Sequence, residues 1–227
     1  MPFGLKNAGA TFLRPMDNAF AHEKDVFPVV YLDDLIVFSG SDDEHLHHLR
    51  VVFQRCKKSR ISLNPKKSIF GMDEGKLLGH IISKDGIRID TSRVEDIQHI
   101  YFPRNKKEIQ AFNGKMNFLH RFVPNLVEHL REMTNMLKKD STVKWIEEAI
   151  KSLNLVKFDL SNAPVLICPD YTQDFIIFSF ASKHTMVAVL MQKREQIEHP
   201  IAFFSRIIRD AALQYNIIEK QALHWIL

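Results

Sequence analysis

Apolar positions along the chain change period several times, and each change marks an element. Over residues 7–21, Ala10, Phe12, Leu13, Met16, Ala19 and Phe20 recur at helical intervals, which predicts a helix. Pro15 lies inside it; it brings no N–H and crowds the preceding turn, so a kink or break is expected there. Residues 26–39 read VFPVVYLDDLIVFS, two β-branched and aromatic runs on either side of Asp33-Asp34. That is the pattern of a strand, a tight acidic turn and a second strand. A helix over 41–59 follows. Ser41 with Glu44 three residues on has capping-box spacing, and Leu46, Leu49, Val52, Phe53 and Cys56 give an apolar face. Short strands are predicted over 68–70 and 77–83, ending in the turn Ser83-Lys84-Asp85-Gly86.

After Gly86 the period becomes helical and the composition Phe-rich and basic. Helices are predicted over 92–99, 106–123 and 126–137, punctuated by Pro103 and Pro124, with a further helix over 146–159. From Val165 the β pattern returns, with paired strands over 174–179 and 187–192, a third over 201–205, and a closing helix over 216–227. No internal repeat is visible. These shifts predict three parts, residues 1–89, 90–142 and 143–227, and an α+β fold.

Composition narrows the classes. Over 227 residues, 45% hydrophobic and 26% charged exclude disordered, collagen-like and low-complexity chains. No run of about 18 apolar residues occurs, so no membrane partner is expected. Lys and Arg number 31 against 27 Asp and Glu, a formal charge of +4, which permits a polyanionic partner without demanding one. Cys56 and Cys168 have neither metal-ligand spacing nor a disulfide framework, and a reducing, intracellular compartment fits them best. The first residues show no secretory pattern. The chain stops at Trp225-Ile226-Leu227 inside an apolar helical pattern, from which a truncated reading frame is expected.

Adjacent carboxylates between apolar strands must be solvated, hydrogen-bonded or bound to a cation. Oxygen-only ligands favour Mg²⁺ or Mn²⁺. Two such ions about 3.5–4 Å apart are the usual device for in-line phosphoryl transfer. An isolated YLDD is nevertheless more often a polar turn. His45, His47 and His48 cluster on one predicted helix, but no third ligand beyond flanking Asp42, Asp43 and Glu44 is near in sequence, so a solvated face is the expected reading.

Context changes the weight of the acidic pair. Tyr31-Leu32-Asp33-Asp34 resembles the YxDD box of reverse transcriptases, and Met1-Pro2-Phe3-Gly4-Leu5-Lys6-Asn7-Ala8 resembles the MPFGLxNAPATFQ box that precedes it in gypsy-type retrotransposon polymerases. Leu63-Asn64-Pro65-Lys66-Lys67 with Phe70 resembles the next box, and Leu78-Gly79-His80 with Gly86 resembles the primer-grip hairpin. Phe112, Phe118, Arg121-Phe122 and Trp145 fall where that family has its thumb and connecting segment. Ala163-Pro164-Val165-Leu166, Ala188-Val189-Leu190-Met191-Gln192 and Pro200-Ile201-Ala202-Phe203-Phe204-Ser205 resemble the start of its ribonuclease H-like domain.

The resemblance, to gypsy-type LTR retrotransposon Pol polyproteins, implies an α+β chain. Residues 1–89 would be the C-terminal part of a reverse-transcriptase palm, 90–142 a helical thumb and connection, and 143–227 an incomplete, degenerate ribonuclease H-like mixed sheet. It implies that Asp33 ligates catalytic Mg²⁺ (or Mn²⁺), that Asp34 completes the acidic site in a lesser role, and that Tyr31 lies near the primer end. Pro2, Phe3, Gly4 and Leu5 would form part of the nucleotide and template pocket, with Lys67 near the triphosphate or supporting the palm. Leu78, Gly79 and His80 would hold the primer strand. The implied partners are an RNA/DNA primer–template and the remainder of the Pol polyprotein, in a cytoplasmic particle or the nucleus. Basic clusters at 55–60, 65–67, 103–107 and 138–139, interleaved with Phe102, Phe112, Phe118 and Phe122, could track duplex phosphates, although most of the Phe residues are expected in the core.

Three departures qualify that expectation. The family's site uses a further aspartate on a strand preceding the MPFGL box, at which these residues begin, so the 227 residues alone are not expected to polymerise. The ribonuclease H-like DAS triplet reads Phe180-Ala181-Ser182, with Thr185 and Val187 where glycines are expected. The Glu expected six residues after Tyr215 is Gln221; Glu219, two positions off, would face about 200° away on a helix. Neither Phe nor Gln replaces an anionic ligand, so ribonuclease H activity is not expected. The alternative reading is a non-catalytic retroelement remnant that at most binds nucleic acid. Incomplete sheets are expected to leave aggregation-prone edges.

Overall fold

The computed structural model describes residues 6–24, 26–32, 34–139, 141–208, 210–216 and 218–220, with side chains undescribed at 210 and 211. Contacts divide the chain into two units, Met1–Gly75 and Lys76–Leu227.

In the first unit, α1 (Ala8–Ala19) leads to a hairpin of β1 (Pro28–Tyr31) and β2 (Asp34–Val37), and then α2 (Asp42–Lys58). Pro15 sits inside α1 without ending it. Beyond the proline, Met16, Ala19 and Phe20 are all buried. Burying large apolar side chains, at about 1.5–3 kcal/mol each, outweighs an interior proline's cost of about 3 kcal/mol. The expected cap is present on α2: the Glu44 N–H donates to Ser41 Oγ at 3.4 Å, and Glu44 Oε2 accepts from the Gly40 N–H at 2.7 Å. Asp42, Asp43 and Glu44 in its first turn and Arg55, Lys57 and Lys58 in its last complement the helix dipole. Met16, Phe20, Phe27, Val30, Val52 and Cys56 form the core between hairpin and helices.

The strand expected over 68–70 is absent. Asn64 turns the chain instead: its carbonyl accepts the Lys67 and Ser68 N–H groups, both at 3.1 Å, and its side-chain oxygen accepts the Lys66 N–H at 3.0 Å. An Asx turn of this kind competes with strand pairing for the same backbone donors.

The division between the units falls within β3 (Glu74–Leu77), which joins β4 (His80–Ser83) and β5 (Gly86–Ile89) in a three-stranded sheet of that order. The predicted single strand over 77–83 is thus folded at Leu78-Gly79, where φ is 52° and 74°. Gly86 is required at its position. Its φ is 138°, and a Cβ there would lie 2.2 Å from the Leu166 carbonyl oxygen. The close approach allows paired bonds between Ile87 and Leu166, 2.7 and 2.9 Å, which tie the hairpin to the segment before the last sheet.

The helices α3 (Thr91–Gln98), α4 (Lys106–Phe118), α5 (Leu126–His129), α6 (Arg131–Asn135) and α7 (Glu147–Ser161) surround a core containing Ile97, Ile109, Phe112, Met116, Phe122, Met133 and Leu153. The helix predicted over 106–123 ends at Phe118 and tightens to a 3₁₀ turn, His120–Phe122, which buries Leu119 and Phe122. The helix predicted over 126–137 breaks at Leu130.

A meander of β6 (Ile176–Ala181), β7 (Thr185–Arg194) and β8 (Ile197–Ile207) closes the unit as an antiparallel sheet. Its first turn is held by Ser182 Oγ, which accepts the His184 and Thr185 N–H groups at 3.2 and 3.0 Å. Among the described residues β6 is paired on one side only, and Ile177, Phe178 and Phe180 on it are exposed. Such an edge templates self-association. Phe180→Lys is expected to raise the concentration at which the chain begins to associate by about threefold or more, measured by light scattering. An unchanged onset would show that β6 is not the associating edge. Among the described residues no helix is long and apolar enough to cross a membrane.

Candidate functional site

The sequence-implied site residues fall on both units. In the first, antiparallel register sets Tyr31 opposite Asp34 at the tip of the β1–β2 hairpin. The strands are anchored from beneath by buried Phe27 and Val30 and half-buried Leu35 and Val37, and the Phe38 N–H extends the ladder to the Phe27 carbonyl at 2.9 Å. The loop is two residues long, with Leu32 at φ 53°, a left-handed conformation that a branched side chain adopts only under constraint. One neighbour is α1: a Cβ added to Gly9 would meet Leu32 Cδ2 at 3.5 Å.

This geometry puts Tyr31 (45% exposed) and the Asp34 carboxylate at the surface. Among the described residues no Lys or Arg pairs with Asp34. Asp33, with Pro2, Phe3, Gly4 and Leu5, lies outside the described residues. Among the described residues no three His, Cys, Asp or Glu side chains gather as a metal site. The Asp34 carboxylate is a hard oxygen donor that fits a divalent cation, but one carboxylate fills only a small part of an octahedral shell. Lys67 is exposed, on the turn that Asn64 organises.

The histidine cluster on α2 proves to be tied to this hairpin. His48 stacks on Phe27 with ring centroids 4.0 Å apart, and Ser39 Oγ lies 2.7 Å from His48 Nδ1 and 3.2 Å from His45 Nδ1. The expected solvated face is therefore partly a brace. The signal for it was the aromatic residue bordering the hairpin, which sequence spacing alone does not connect to the helix.

In the second unit, the turn Leu78-Gly79 presents Leu78 to solvent and places His80 against α4. The His80 ring stacks on Phe118 at 4.8 Å and tilts against Phe122 at 5.2 Å. Burial, reinforced by the charges of Arg121 and Arg93, holds the imidazole below its ordinary value. A lowered value means that the folded state prefers the neutral ring. Its contribution is complete above the unfolded value, near 6.5, and is lost as pH falls through the folded value. His129 is lowered in the same way, by burial, with Asp159 and Glu128 opposing. The melting temperature is therefore expected to fall between about pH 7.5 and pH 5. His80→Phe, which keeps the stack, should flatten part of that slope; an identical slope in the variant would contradict the assignment.

The ribonuclease H-like positions are also resolved in part. Phe180 is 63% exposed on β6, paired with Val187. Glu219 is a cap: its Oε2 accepts the Asn216 N–H at 2.9 Å while Asn216 Oδ1 accepts the Ile218 and Glu219 N–H groups. Gln221 lies outside the described residues.

Comparison with known proteins accounts for this order of elements. Residues 1–82 match the family described as reverse transcriptase (RNA-dependent DNA polymerase), and residues 145–227 match the RNase H-like domain found in reverse transcriptase. The class is thus a reverse-transcriptase segment followed by an RNase H-like domain. The 227 residues match a region of the Pol polyproteins of LTR retrotransposons. It is 37% identical over 224 residues to the retrovirus-related Pol polyprotein from transposon 297 of Drosophila melanogaster, covering 98% of this chain and 21% of that protein. It is 32% identical over 227 residues to the polyprotein from transposon 412 of the same organism, covering 99% and 18%. The Tf2-3 polyprotein of Schizosaccharomyces pombe is 28% identical over 233 residues, covering 99% and 18%. The chain therefore spans about a fifth of the length of these relatives. Among solved structures, the foamy viral protease-reverse transcriptase in complex with dsDNA superposes with a TM-score of 0.86 at 25% identity, over 100% of this chain and 47% of that one. The same enzyme in complex with an RNA/DNA hybrid gives 0.81 at 25% identity, over 100% and 31%.

Proposed function

We propose that this chain is the part of an RNA-directed DNA polymerase that carries the paired catalytic aspartates, acting on an RNA/DNA primer–template within a longer Pol polyprotein. In this reading residues 1–89 are the C-terminal part of the palm, 90–142 the thumb and connection, and 143–227 the start of the ribonuclease H-like domain. Asp33 and Asp34 are metal ligands, with Asp33 the principal one. Tyr31 borders the primer end, Pro2, Phe3, Gly4 and Leu5 line the nucleotide and template pocket, and Lys67 lies toward the triphosphate. Leu78, Gly79 and His80 grip the primer. Mg²⁺ or Mn²⁺, when bound, would stabilise the attacking 3′-oxygen and the departing pyrophosphate. The protein's own residues hold carboxylate oxygens at a fixed place and position the primer end.

The observation that carries the reading is the exposed carboxylate of Asp34, across from Tyr31, at the end of a hairpin anchored by a buried core. That is a stable platform for a charge with no cation partner among the described residues. The resemblance supplies a third carboxylate from a preceding strand, and the relatives are about five times longer than this chain. The 227 residues by themselves are accordingly proposed not to extend a primer. Ribonuclease H activity is proposed to be absent, because Phe180 and Gln221 stand where anionic ligands would be needed. The test is primer extension on an RNA template with Mg²⁺ or Mn²⁺, by the 227-residue chain and by the chain within its full polyprotein. Activity only in the latter supports the reading. Extension by the 227 residues, abolished by Asp33→Ala, would overturn the proposal that they are inactive alone; no activity in either form would favour a non-catalytic remnant.

A further inference from the structure

The turn at residues 78–80 is held by a side chain that no sequence motif singles out. Arg93 lies on α3, and its guanidinium occupies the space over Gly79. A Cβ added to Gly79 would lie 2.3 Å from Arg93 Nη2, 2.5 Å from Cζ and 2.7 Å from Nε. Gly79 has φ of 74°, so it is glycine for two reasons: the backbone conformation, and the absence of a side chain where the arginine rests. The other side of the same guanidinium faces the Phe118 ring, with Cζ 4.4 Å from the centroid. A planar cation over an aromatic face at this distance is attracted by the ring quadrupole. Phe118 is shared, because His80 stacks on it with planes 7° apart. One end of α4 thus receives both the arginine that lies over the turn and the residue that follows the turn. The carbonyl of Gly79 is engaged as well, accepting the Asp90 N–H at 3.4 Å. Among the described residues no carboxylate pairs with Arg93, so the aromatic face and the glycine backbone are what hold it.

We propose that Arg93 is a positioning residue for the 78–80 turn: its guanidinium, seated between the Gly79 backbone and the Phe118 ring, sets the turn against helix α4. The consequence for nucleic acid rests on the reading that this turn contacts the primer strand. A rigid turn then presents its contacts without an ordering cost at binding, whereas a loose one must be ordered by the ligand. The planar fork is what the seat requires. Lysine keeps the charge but cannot lie flat between a backbone and a ring.

The test uses the 227-residue chain with Arg93→Lys, Arg93→Gln, Gly79→Ala and the double variant Gly79→Ala/Arg93→Gln. Two quantities are read on each: amide exchange at residues 79, 80 and 90, and affinity for a fluorescein-labelled DNA primer on an RNA template. Arg93→Lys is expected to speed exchange at those amides by about tenfold and to weaken primer–template binding, despite unchanged charge. Gly79→Ala should do the same by displacing the guanidinium, and the double variant should be clearly less impaired than the sum of its parts. Wild-type exchange in Arg93→Lys, or strict additivity in the double variant, would overturn the positioning role. Faster exchange with unaltered primer–template affinity in all variants would uphold the positioning role and sink instead the reading that the turn contacts nucleic acid. If Arg93→Gln weakens binding while Arg93→Lys behaves as wild type in both measurements, Arg93 acts through charge alone and the positioning role falls.

Discussion

Asp33→Asn, introduced into the full polyprotein, is expected to lower primer extension by about a thousandfold or more, equivalent to roughly 4 kcal/mol of lost transition-state stabilisation. The amide keeps the size and shape of the side chain, so the hairpin should be unaltered and the loss should fall on catalysis. Asp34→Asn is expected to cost less, because the proposed function gives its carboxylate the lesser role in the acidic site. Steady-state extension on a homopolymer template, with primer–template affinity measured in parallel, separates the two. Both variants should bind near normally. Equal activity of Asp33→Asn and the parent would remove the acidic pair from the chemistry.

The second large effect is structural. Phe20 is fully buried at the end of α1, in the core that also holds Phe27 and Val30 of the hairpin. Phe20→Ala is expected to destabilise the first unit by about 3–5 kcal/mol. Folded domains hold only about 5–15 kcal/mol in total, so this would leave the hairpin marginal or unfolded under ordinary conditions. Phe12, on the same helix but exposed, provides the control: Phe12→Ala should change stability by no more than about 0.5 kcal/mol. Urea unfolding followed by circular dichroism measures both. Comparable losses in the two variants would mean that α1 is not seated as described.

Which parts were legible in the sequence follows from the range of the forces involved. That a β1–β2 hairpin forms was legible because two β-branched runs bracket a polar pair, but its register was not: the turn expected at Asp33-Asp34 lies one residue earlier, and Asp34 opens β2 opposite Tyr31. The cap at Ser41 was legible because both partners lie within four residues. The break allowed at Pro15 does not occur, because the local penalty is countered by burial of Met16 and Phe20, which depends on partners 7 to 40 residues away. The missing strand over 68–70 reflects Asn64, whose carbonyl and amide oxygen capture three N–H groups. The turn at 78–79 was hidden because Leu78 adopts positive φ beside the one residue that signals it, Gly79. Of the candidate site, the motif singled out Tyr31 and Asp34, but their pairing across the hairpin tip came from the structure. The seat of Arg93 on Phe118 was not legible, since it joins residues 25 apart through a contact that no periodicity encodes. Glu219, weighed as a displaced acid, is instead occupied in accepting the Asn216 N–H.

The central claim is that the hairpin carboxylates take a divalent cation. Paramagnetic broadening of amide resonances by Mn²⁺, with primer–template present, tests it most directly. The account predicts broadening centred on residues 31–35 that is displaced by excess Mg²⁺ and lost in Asp33→Asn/Asp34→Asn. Broadening centred elsewhere, or unchanged in the double variant, would contradict it.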